Sequence, residues 1–485
     1  MKGNILQGNR NKAGPYAGTI DDDCVVWRGI RYASAQRFAL PEPLPAPATP
    51  IHCNTFGPPA AQAANPTAKA GLAEDVLFLN VYSPAADDAR RPVMVWIHGG
   101  AFEAGTASFY NGARLAREGD IVVVTISYRL GILGFADFSD LGIPRNLGLH
   151  DQIAALQWIK HNIAAFGGDP DQVTIAGESA GSTSVALLMV AKATQGLFHK
   201  AIMQSGGLSL AHEASHAARI AERYRELLGS GAADADALRG VAIERLMALQ
   251  KQVAGENPGG LASAPILDGD LLPPSLDMAV NKSTPAIPLL AGSNREEIRF
   301  FELPPFRSII TQARHAILER IEARFGKSVS RRVASAYPDT KSGNRELATD
   351  ANFGQPTRNF AERHAAQGHG TWVYRFDAPG IIGAAHGVEL AFIWPLEGLF
   401  ALLLRGGFAL GKRKRLAVRM RHYWIEFIRN GNPGDNWSRY EPKNRQLKIF
   451  NWRDTIEEKA NDAARTAWDG LEINASQSLR VPTIT

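Results

Sequence analysis

Two glycine-flanked clusters carry residue types suited to nucleophilic acyl chemistry. The first is Gly177-Glu178-Ser179-Ala180-Gly181, a G-x-S-x-G pattern. Alone it is a weak signal, because a Gly–Ser turn with no chemistry matches it equally well. Its setting is more specific: the strand-like run Val173–Ala176 enters it, and a helical pattern leaves it from Ala180. A strand-to-helix turn this sharp leaves no room for side chains beside the serine, hence the glycines, and it holds the Ser179 hydroxyl at the tip of a sheet. The same turn sets the Ala180 N–H at a helix start, where it can stabilise an oxyanion. The second cluster, His98-Gly99-Gly100-Ala101-Phe102, follows the apolar run Pro92–Ile97. Small residues there let backbone N–H groups face a reacting carbonyl oxygen without obstruction. Gly100 and Ala101 are the expected donors, with Ala180 as the third. A plain turn is the bland alternative, and it loses ground beside the serine turn. His98 precedes the glycines and is expected to be structural.

A serine hydroxyl becomes a competent nucleophile only when a histidine takes its proton and a carboxylate orients that histidine. Behind a serine turn of this type the order along the chain is serine, acid, histidine, each on a loop after a strand. The apolar run Leu289–Ala291 leads into Gly292-Ser293-Asn294-Arg295-Glu296-Glu297, and either glutamate could be the acid. The run Trp372–Phe376 is followed by Gly383-Ala384-Ala385-His386-Gly387, which makes His386 the expected base. His364 and His369 precede that strand, at the opposite sheet edge, and His422 falls in a late helical pattern.

The elements that must position these groups follow from periodicity. Short, continuously apolar runs at Val76–Tyr82, Pro92–His98, Ile121–Tyr128, Val173–Ala176 and Lys200–Gln204 read as strands, after a shorter one at Cys24–Trp27. Between them lie helical patterns, clearest in Leu149–Phe166, where Ile153, Leu156, Ile159 and Ile163 recur at helical spacing. Strands of this kind alternating with helices predict an α/β fold with a mostly parallel central sheet flanked by helices. Helix-rich, charged stretches at about 212–253 and 300–365 read as insertions capping the carboxyl edge of the sheet. No flexible linker sets them apart, so residues 1–485 are expected to form a single catalytic domain.

Composition excludes several classes of function. The chain has 485 residues, 45% hydrophobic and 21% charged, which is ordinary for a globular protein with a large core. A net charge of +5 is modest, and its one dense source is Lys412-Arg413-Lys414-Arg415, continuing to Arg419 and Arg421. Helical spacing there points to a solvated helix face, and no nucleic-acid motif accompanies it. Two cysteines, Cys24 and Cys53, are neither a disulfide framework nor spaced as metal ligands. Residues 1–18 show no apolar leader core, and no stretch reaches the roughly 20 apolar residues of a membrane span. The expectation is therefore a cytoplasmic protein that associates with neither membrane nor nucleic acid. Nothing resembles a metal site or phosphate loop, so no cofactor is expected. Whether it is a monomer or a dimer is open.

The chain resembles the type-B carboxylesterases, which include bacterial para-nitrobenzyl esterases and the cholinesterases. The resemblance rests on Phe166-Gly167-Gly168-Asp169-Pro170 through Val173 to Gly181, on Glu74-Asp75-Val76-Leu77-Phe78-Leu79-Asn80-Val81, on Ser127-Tyr128-Arg129-Leu130-Gly131, on Asn146-Leu147-Gly148-Leu149 with Asp151-Gln152, on His386-Gly387-Val388-Glu389-Leu390, and on Trp424 with Gly431-Asn432-Pro433. It spans residues 18 to 455. It implies the α/β-hydrolase fold and a Ser–Glu–His triad of Ser179, Glu297 and His386, because a G-x-x-x-D-E-G stretch of the family falls on Gly292 to Ile298 and selects Glu297. It also implies the oxyanion residues Gly100, Ala101 and Ala180, and a loop that accepts bulky alcohol groups. Three departures stand out. Val76 replaces a family cysteine, so the common amino-terminal disulfide is absent. Ile298 replaces a glycine beside the acid, and a branched residue cannot easily hold a positive φ, which would re-aim Glu297. The segment Ala33–Pro41 is short, which opens the rim of the cleft.

On the substrate side, Phe102, Phe300, Phe301, Phe392 and Trp394 are expected to wall the cleft above Ser179, with ordinary core packing as the alternative for each. The expected activity is hydrolysis of neutral esters of modest acyl length through an acyl-enzyme. The same triad would serve acyl transfer or hydrolysis of carbamates and aryl amides. A non-catalytic binding protein on this fold would have lost one of the three residues.

Overall fold

Alternate residues of the strand Arg91–Ile97 feed two different cores. Val93, Val95 and Ile97 enter one, Met94 and Trp96 the other, and all five are fully buried. A strand apolar on both faces must lie inside a sheet covered on both sides, and its neighbours follow the same rule. The computed structural model describes residues 12–21, 23–63, 71–256, 260–303, 306, 313–396, 410–458 and 462–473. The main sheet is built from β1 (Thr19–Asp21), β2 (Cys24–Arg31), β3 (Phe78–Ser83), β4 (Arg91–Ile97), β5 (Val122–Ile126), β6 (Gly168–Glu178), β7 (Lys200–Gln204), β8 (Leu289–Asn294), β9 (Thr371–Phe376), β10 (Leu447–Phe450) and β11 (Thr455–Glu457). Their order across it is β11-β10-β9-β8-β7-β6-β4-β5-β3-β2-β1. From β10 to β5 every pairing is parallel, and antiparallel strands close both edges. This is the α/β-hydrolase architecture, as expected.

Most strands lie within a few residues of their expected positions. The exception is β6, which begins at Gly168 rather than Val173 and reaches its full length through a register shift against β4. The edge strands β10 and β11 carried no strong sequence signal, being short. Helices α1 (Leu147–Asn162) and α2 (Ala180–Val190) pack on the sheet, and every residue of α2 is buried. Between β7 and β8 come α3 (Ala214–Leu228) and α4 (Ile243–Glu256), which build a third core with Phe38, Phe138 and Leu133. Between β8 and β9 come α5 (Arg314–Phe325), α6 (Lys327–Ser335), α7 (Lys341–Thr349) and α8 (Gln355–Ala366).

The basic cluster lies on α9 (Leu410–Asn430) and only part of it is a solvated face. Lys412, Lys414 and Arg415 are exposed, but Arg413 is buried with its guanidinium 5.4 Å from the Phe392 ring. Arg419 pairs with Asp454 at 2.9 Å and Arg421 with Glu118 at 2.6 Å. Among the described residues no helix is long and apolar enough to cross a membrane.

The parallel order brings the carboxyl ends of β4, β6, β8 and β9 to one edge, where ligands of open α/β sheets bind. Behind this edge stands a buried ion pair. Arg129, just after β5, gives Asp151 of α1 two side-chain hydrogen bonds of 2.7 and 2.8 Å and a backbone one of 3.0 Å. Both side chains are nearly inaccessible, at 4% and 0%. The pair fixes the loop Tyr128–Gly131, whose Tyr128 hydroxyl donates to the His98 carbonyl and whose Gly131 N–H donates to that of Phe102, each at 2.7 Å. Removing one partner strands a buried charge, so Asp151→Ala is expected to destabilise the fold by about 3–5 kcal/mol in urea denaturation. A loss below about 1 kcal/mol would show that solvent reaches the pair.

Candidate active site

Ser179 sits in a conformation that its residue type disfavours. It links β6 to α2 with φ 58° and ψ −122°. Backbone strain of this kind costs on the order of 1–3 kcal/mol and persists only where the surroundings over-determine it. Here they do. The Ser179 N–H donates to the Gln204 carbonyl of β7 at 2.9 Å, and its own carbonyl accepts from Thr183 in the first turn of α2 at 3.0 Å. A Cβ on Gly177 would overlap the Gly181 backbone, and one on Gly181 would overlap the Ile97 carbonyl of β4. The glycines thus let β6, α2 and β4 meet at the serine. Ala180, as the first residue of α2, has an N–H with no intrahelical partner.

The loop after β4 is also strained, with φ of 116° at Gly100, 56° at Ala101 and 61° at Phe102. The Gly100 carbonyl accepts from Glu103 and Ala104, at 3.0 and 2.9 Å, which closes the turn. A Cβ on Gly99 would stand 3.0 Å from Ser179 Cβ and 2.6 Å from the Glu178 carbonyl oxygen, so this loop lies directly against the serine turn. Among the described residues no acceptor is bonded to the N–H of Gly100, Ala101 or Ala180. Gln62 holds the far end of the loop through two hydrogen bonds with Gly105, at 2.8 and 2.9 Å. Sequence reasoning did not single out Gln62, since nothing near it repeats a motif. His98 is structural in this setting. It stacks on Tyr128 at 4.5 Å, its Nδ1 lies 2.9 Å from the Gly99 carbonyl, and burial pushes its pKa down to about 4.

The two loops after β8 and β9 bring Glu297 and His386 together. His386 Nδ1 is 2.7 Å from Glu297 Oε2, and the His386 N–H donates to the Glu297 carbonyl at 3.2 Å. The other carboxylate oxygen, Oε1, accepts from the Asn294 N–H at 2.6 Å, and the side chain is fully buried. Glu296 points elsewhere. It pairs with Arg299 at 2.9 Å and accepts from the Ala384 N–H at 3.1 Å, bracing the loop that carries His386. Ile298 does not disturb the acid. Glu297 has φ −42° and ψ −47°, and Ile298 opens a short helix, so this backbone never enters the left-handed region and does not need glycine.

Two more buried carboxylates surround the imidazole. Glu178 Oε1 lies 3.2 Å from His386 Nε2, without the angle of a hydrogen bond. Glu389 accepts from Gln204 Nε2 at 3.2 Å and also from Asn294, which links it to the acid loop. Glu389 stands three residues beyond His386 in the same sequence motif, and that spacing was the signal available for it. Burial, with the other carboxylates adding to it, raises Glu178 to about 8, and burial raises Glu389 to about 7. Burial alone would lower the pKa of His386, but the charges of Glu178 and Glu297 outweigh it and raise it to about 9. The cluster therefore retains a proton near neutrality that isolated groups would have lost.

The aromatic residues divide into two sets. Phe301 and Phe300 lie 5.1 and 6.1 Å from the His386 ring. Phe353, which the sequence reading missed, is closer at 4.4 Å. It is distant in sequence and belongs to no chemical motif, so only folding reveals it. Phe392 and Trp394 pack among other aromatic residues. Trp394 packs between Trp96 and Tyr110, at 5.0 and 5.2 Å, and Phe392 rests on Phe376 at 5.1 Å, inside the second core. Phe102 is fully buried, edge-on to Phe135. All three are packed within a core. Among the described residues no group of three or more His, Cys, Asp or Glu side chains could hold a metal ion.

Family resemblance accords with this arrangement. The model of the carboxylesterase family matches residues 5–468. The para-nitrobenzyl esterase of Bacillus subtilis (strain 168) is 35% identical over 471 residues, covering 92% of this chain and 94% of the relative. A solved structure of a PNB esterase superposes with a TM-score of 0.85 at 33% identity, over 93% of this chain and 97% of the other. The carboxylesterase EST55 of Geobacillus stearothermophilus gives a TM-score of 0.81 at 32% identity, over 93% and 98%. With a family model spanning nearly the whole chain and a site built around a strained serine, the protein belongs to the carboxylesterase family and is a carboxylic ester hydrolase of the serine type.

Proposed function

We propose that the chain hydrolyses neutral carboxylic esters through an acyl-enzyme on Ser179, with His386 as base, Glu297 as the acid that orients it, and the N–H groups of Gly100, Ala101 and Ala180 as the oxyanion hole. The observation that carries this reading is the 2.7 Å contact between His386 Nδ1 and Glu297 Oε2, at the same sheet edge as the strained serine. Ser179 Oγ attacks the ester carbonyl carbon while His386 Nε2 takes its proton. The carbonyl oxygen becomes an oxyanion held by the N–H groups of Gly100, Ala101 and Ala180. Collapse breaks the bond to the alcohol oxygen, which receives the proton from His386. Water, deprotonated by the same nitrogen, then attacks the acyl-enzyme and releases the acid and free Ser179. In the free enzyme Nε2 faces Glu178, and reacting groups of unliganded sites commonly tighten only when substrate binds.

The whole chain is read as one catalytic domain, with the helices of 212–253 and 300–365 inserted over the sheet edge. Phe300 and Phe301 are the candidate cleft walls that lie beside the base. Small-molecule esters are the substrates. The two cysteines are buried and form no disulfide among the described residues, which suits a reducing compartment, and we assign the enzyme to the cytoplasm.

Ser179→Ala is expected to lower kcat on para-nitrophenyl butyrate by several orders of magnitude, roughly 10⁶, with the circular dichroism spectrum unchanged. Activity within tenfold of wild type would remove Ser179 from the mechanism. Glu297→Gln should cost roughly 10³–10⁴ in kcat by leaving the imidazole in the wrong tautomer. Glu296→Gln, which keeps an acceptor for Ala384, should lose no more than about tenfold, since it disturbs only a bracing contact. The opposite ranking would move the acid by one residue.

The pH profile tests the carboxylate cluster separately. A base works only when unprotonated, so kcat/KM should rise as pH climbs through the ionisation of the site. Glu178→Gln removes a carboxyl group 3.2 Å from Nε2, and with it the charge that group carries once ionised. That weakens the hold of His386 on its proton, and the rising limb should move to lower pH. A limb that stays in place or moves upward would show that Glu178 carries no charge in the working enzyme.

A further inference from the structure

We propose that the segment Asp462–Ile473, near the carboxyl end of the chain, is a positioning element for His386, acting through a π-helical turn that presses Phe353 against the imidazole. This rests on the reading of His386 as the base.

Between α7 and α8 the chain winds through a π-helical turn, Asp350–Gly354, in which the Gln355 N–H reaches back five residues to the Asp350 carbonyl. Such turns are rare, concentrate at functional sites and persist only where their surroundings hold them. The turn is wholly buried. Two contacts lead from it to the proposed catalytic groups. The Phe353 ring lies 4.4 Å from that of His386 at 36°, and also stacks on Phe301 at 5.5 Å. Thr349, immediately before the turn, accepts from the Ile298 N–H, next to Glu297, at 3.3 Å. Side chains advance by about 100° per residue around a helix. Relaxing the turn to ordinary α-helix would therefore swing Phe353 away from the imidazole.

Much of what holds the turn is distant in sequence. The Asp350 carboxylate accepts from the Tyr337 hydroxyl at 2.6 Å and pairs with Arg358 at 2.5 Å. The Tyr337 hydroxyl in turn accepts from the Trp468 indole N–H at 2.8 Å. Arg465 donates to Gln355 Oε1 at 2.5 Å and to Asn359 Oδ1 at 2.9 Å, gripping the start of α8 where the π turn ends. Glu472 accepts from Arg363 on the same helix at 3.1 Å. Trp468 is 1% exposed and Arg465 5%. Asp350 of the turn, through Tyr337, and Gln355, Asn359, Glu362 and Arg363 of α8 are thus held by one remote segment. These bonds reach the π turn at Asp350, through Tyr337, and grip the helix that continues from it, on the side of the fold where Phe353 meets the imidazole.

The test uses changes small enough to preserve folding. Trp468→Phe deletes the indole N–H, and Tyr337→Phe deletes the hydroxyl between it and Asp350. Each is expected to lower kcat on para-nitrophenyl butyrate by about tenfold, with KM within about twofold, because a slightly misplaced base weakens the transition state more than the ground state. Each should also shift or broaden the far-downfield proton resonance of His386 Nδ1–H. If the segment acts through Phe353, Trp468→Phe should add no further loss of kcat in a Phe353→Leu background. Variants that melt earlier but keep wild-type kcat and resonance would overturn the proposal, and so would losses that multiply. His386→Ala separates this from the underlying reading. If that variant stays active the assignment of the base fails; if it is inactive while Trp468→Phe is fully active, only the positioning role fails.

Discussion

The site depends on one constraint: β6 must turn into α2 at a residue with positive φ that is not glycine. Ser179 is held there because Gly177 and Gly181 allow β6, α2 and β4 to approach without intervening side chains. The strain sets Ser179 at the point where strand turns into helix, beside the first N–H of α2, the arrangement that the proposed nucleophile needs. The loop after β4 repeats the device. Ala101 and Phe102 also hold positive φ, and Gly99 packs so close to Ser179 Cβ that the two loops behave as one unit. Burial supplies the rigidity. All of α2 and the neighbouring strands are packed, so relaxing the strained residues would require opening the main core.

A second layer of control is electrostatic. Three carboxylates and one imidazole are buried together, and charges so placed cannot all ionise independently. Glu297 is satisfied by Asn294 and His386, and Glu389 by Gln204 and Asn294. Glu178 has an oxygen without a hydrogen-bond partner facing Nε2. That arrangement favours the imidazolium formed when serine gives up its proton, and disfavours a base that is free at low pH. The same residues therefore set how tightly the His386 imidazole holds its proton.

Much of the site could be read directly from the chain. Motif, strand context and order singled out Ser179, the loop after β4 and His386, because each obeys local rules of spacing, and the fold brings the three to one sheet edge. The choice between Glu296 and Glu297 was different. Adjacent glutamates point to different sides, and only the path of the β8 loop decides that Glu297 meets His386 while Glu296 braces Ala384. The concern over Ile298 also dissolved in three dimensions, since the backbone there is helical. Aromatic identity said less: Phe392 and Trp394 are near His386 in sequence, and the fold packs both into the second core.

What the amino-acid sequence determined by itself was chemistry fixed by short-range geometry: which serine can sit in a tight turn, which backbone groups stay bare beside it, and which strands alternate with helices. These depend on steric rules operating over a few residues. What only the tertiary structure decided was proximity between segments with no shared pattern. Gln62 against Gly105, Glu178 against Nε2, Phe353 against the imidazole, and Trp468 behind Tyr337 all arise from packing. Such contacts form between parts of the chain that satisfy separate local preferences, so no local signal announces them.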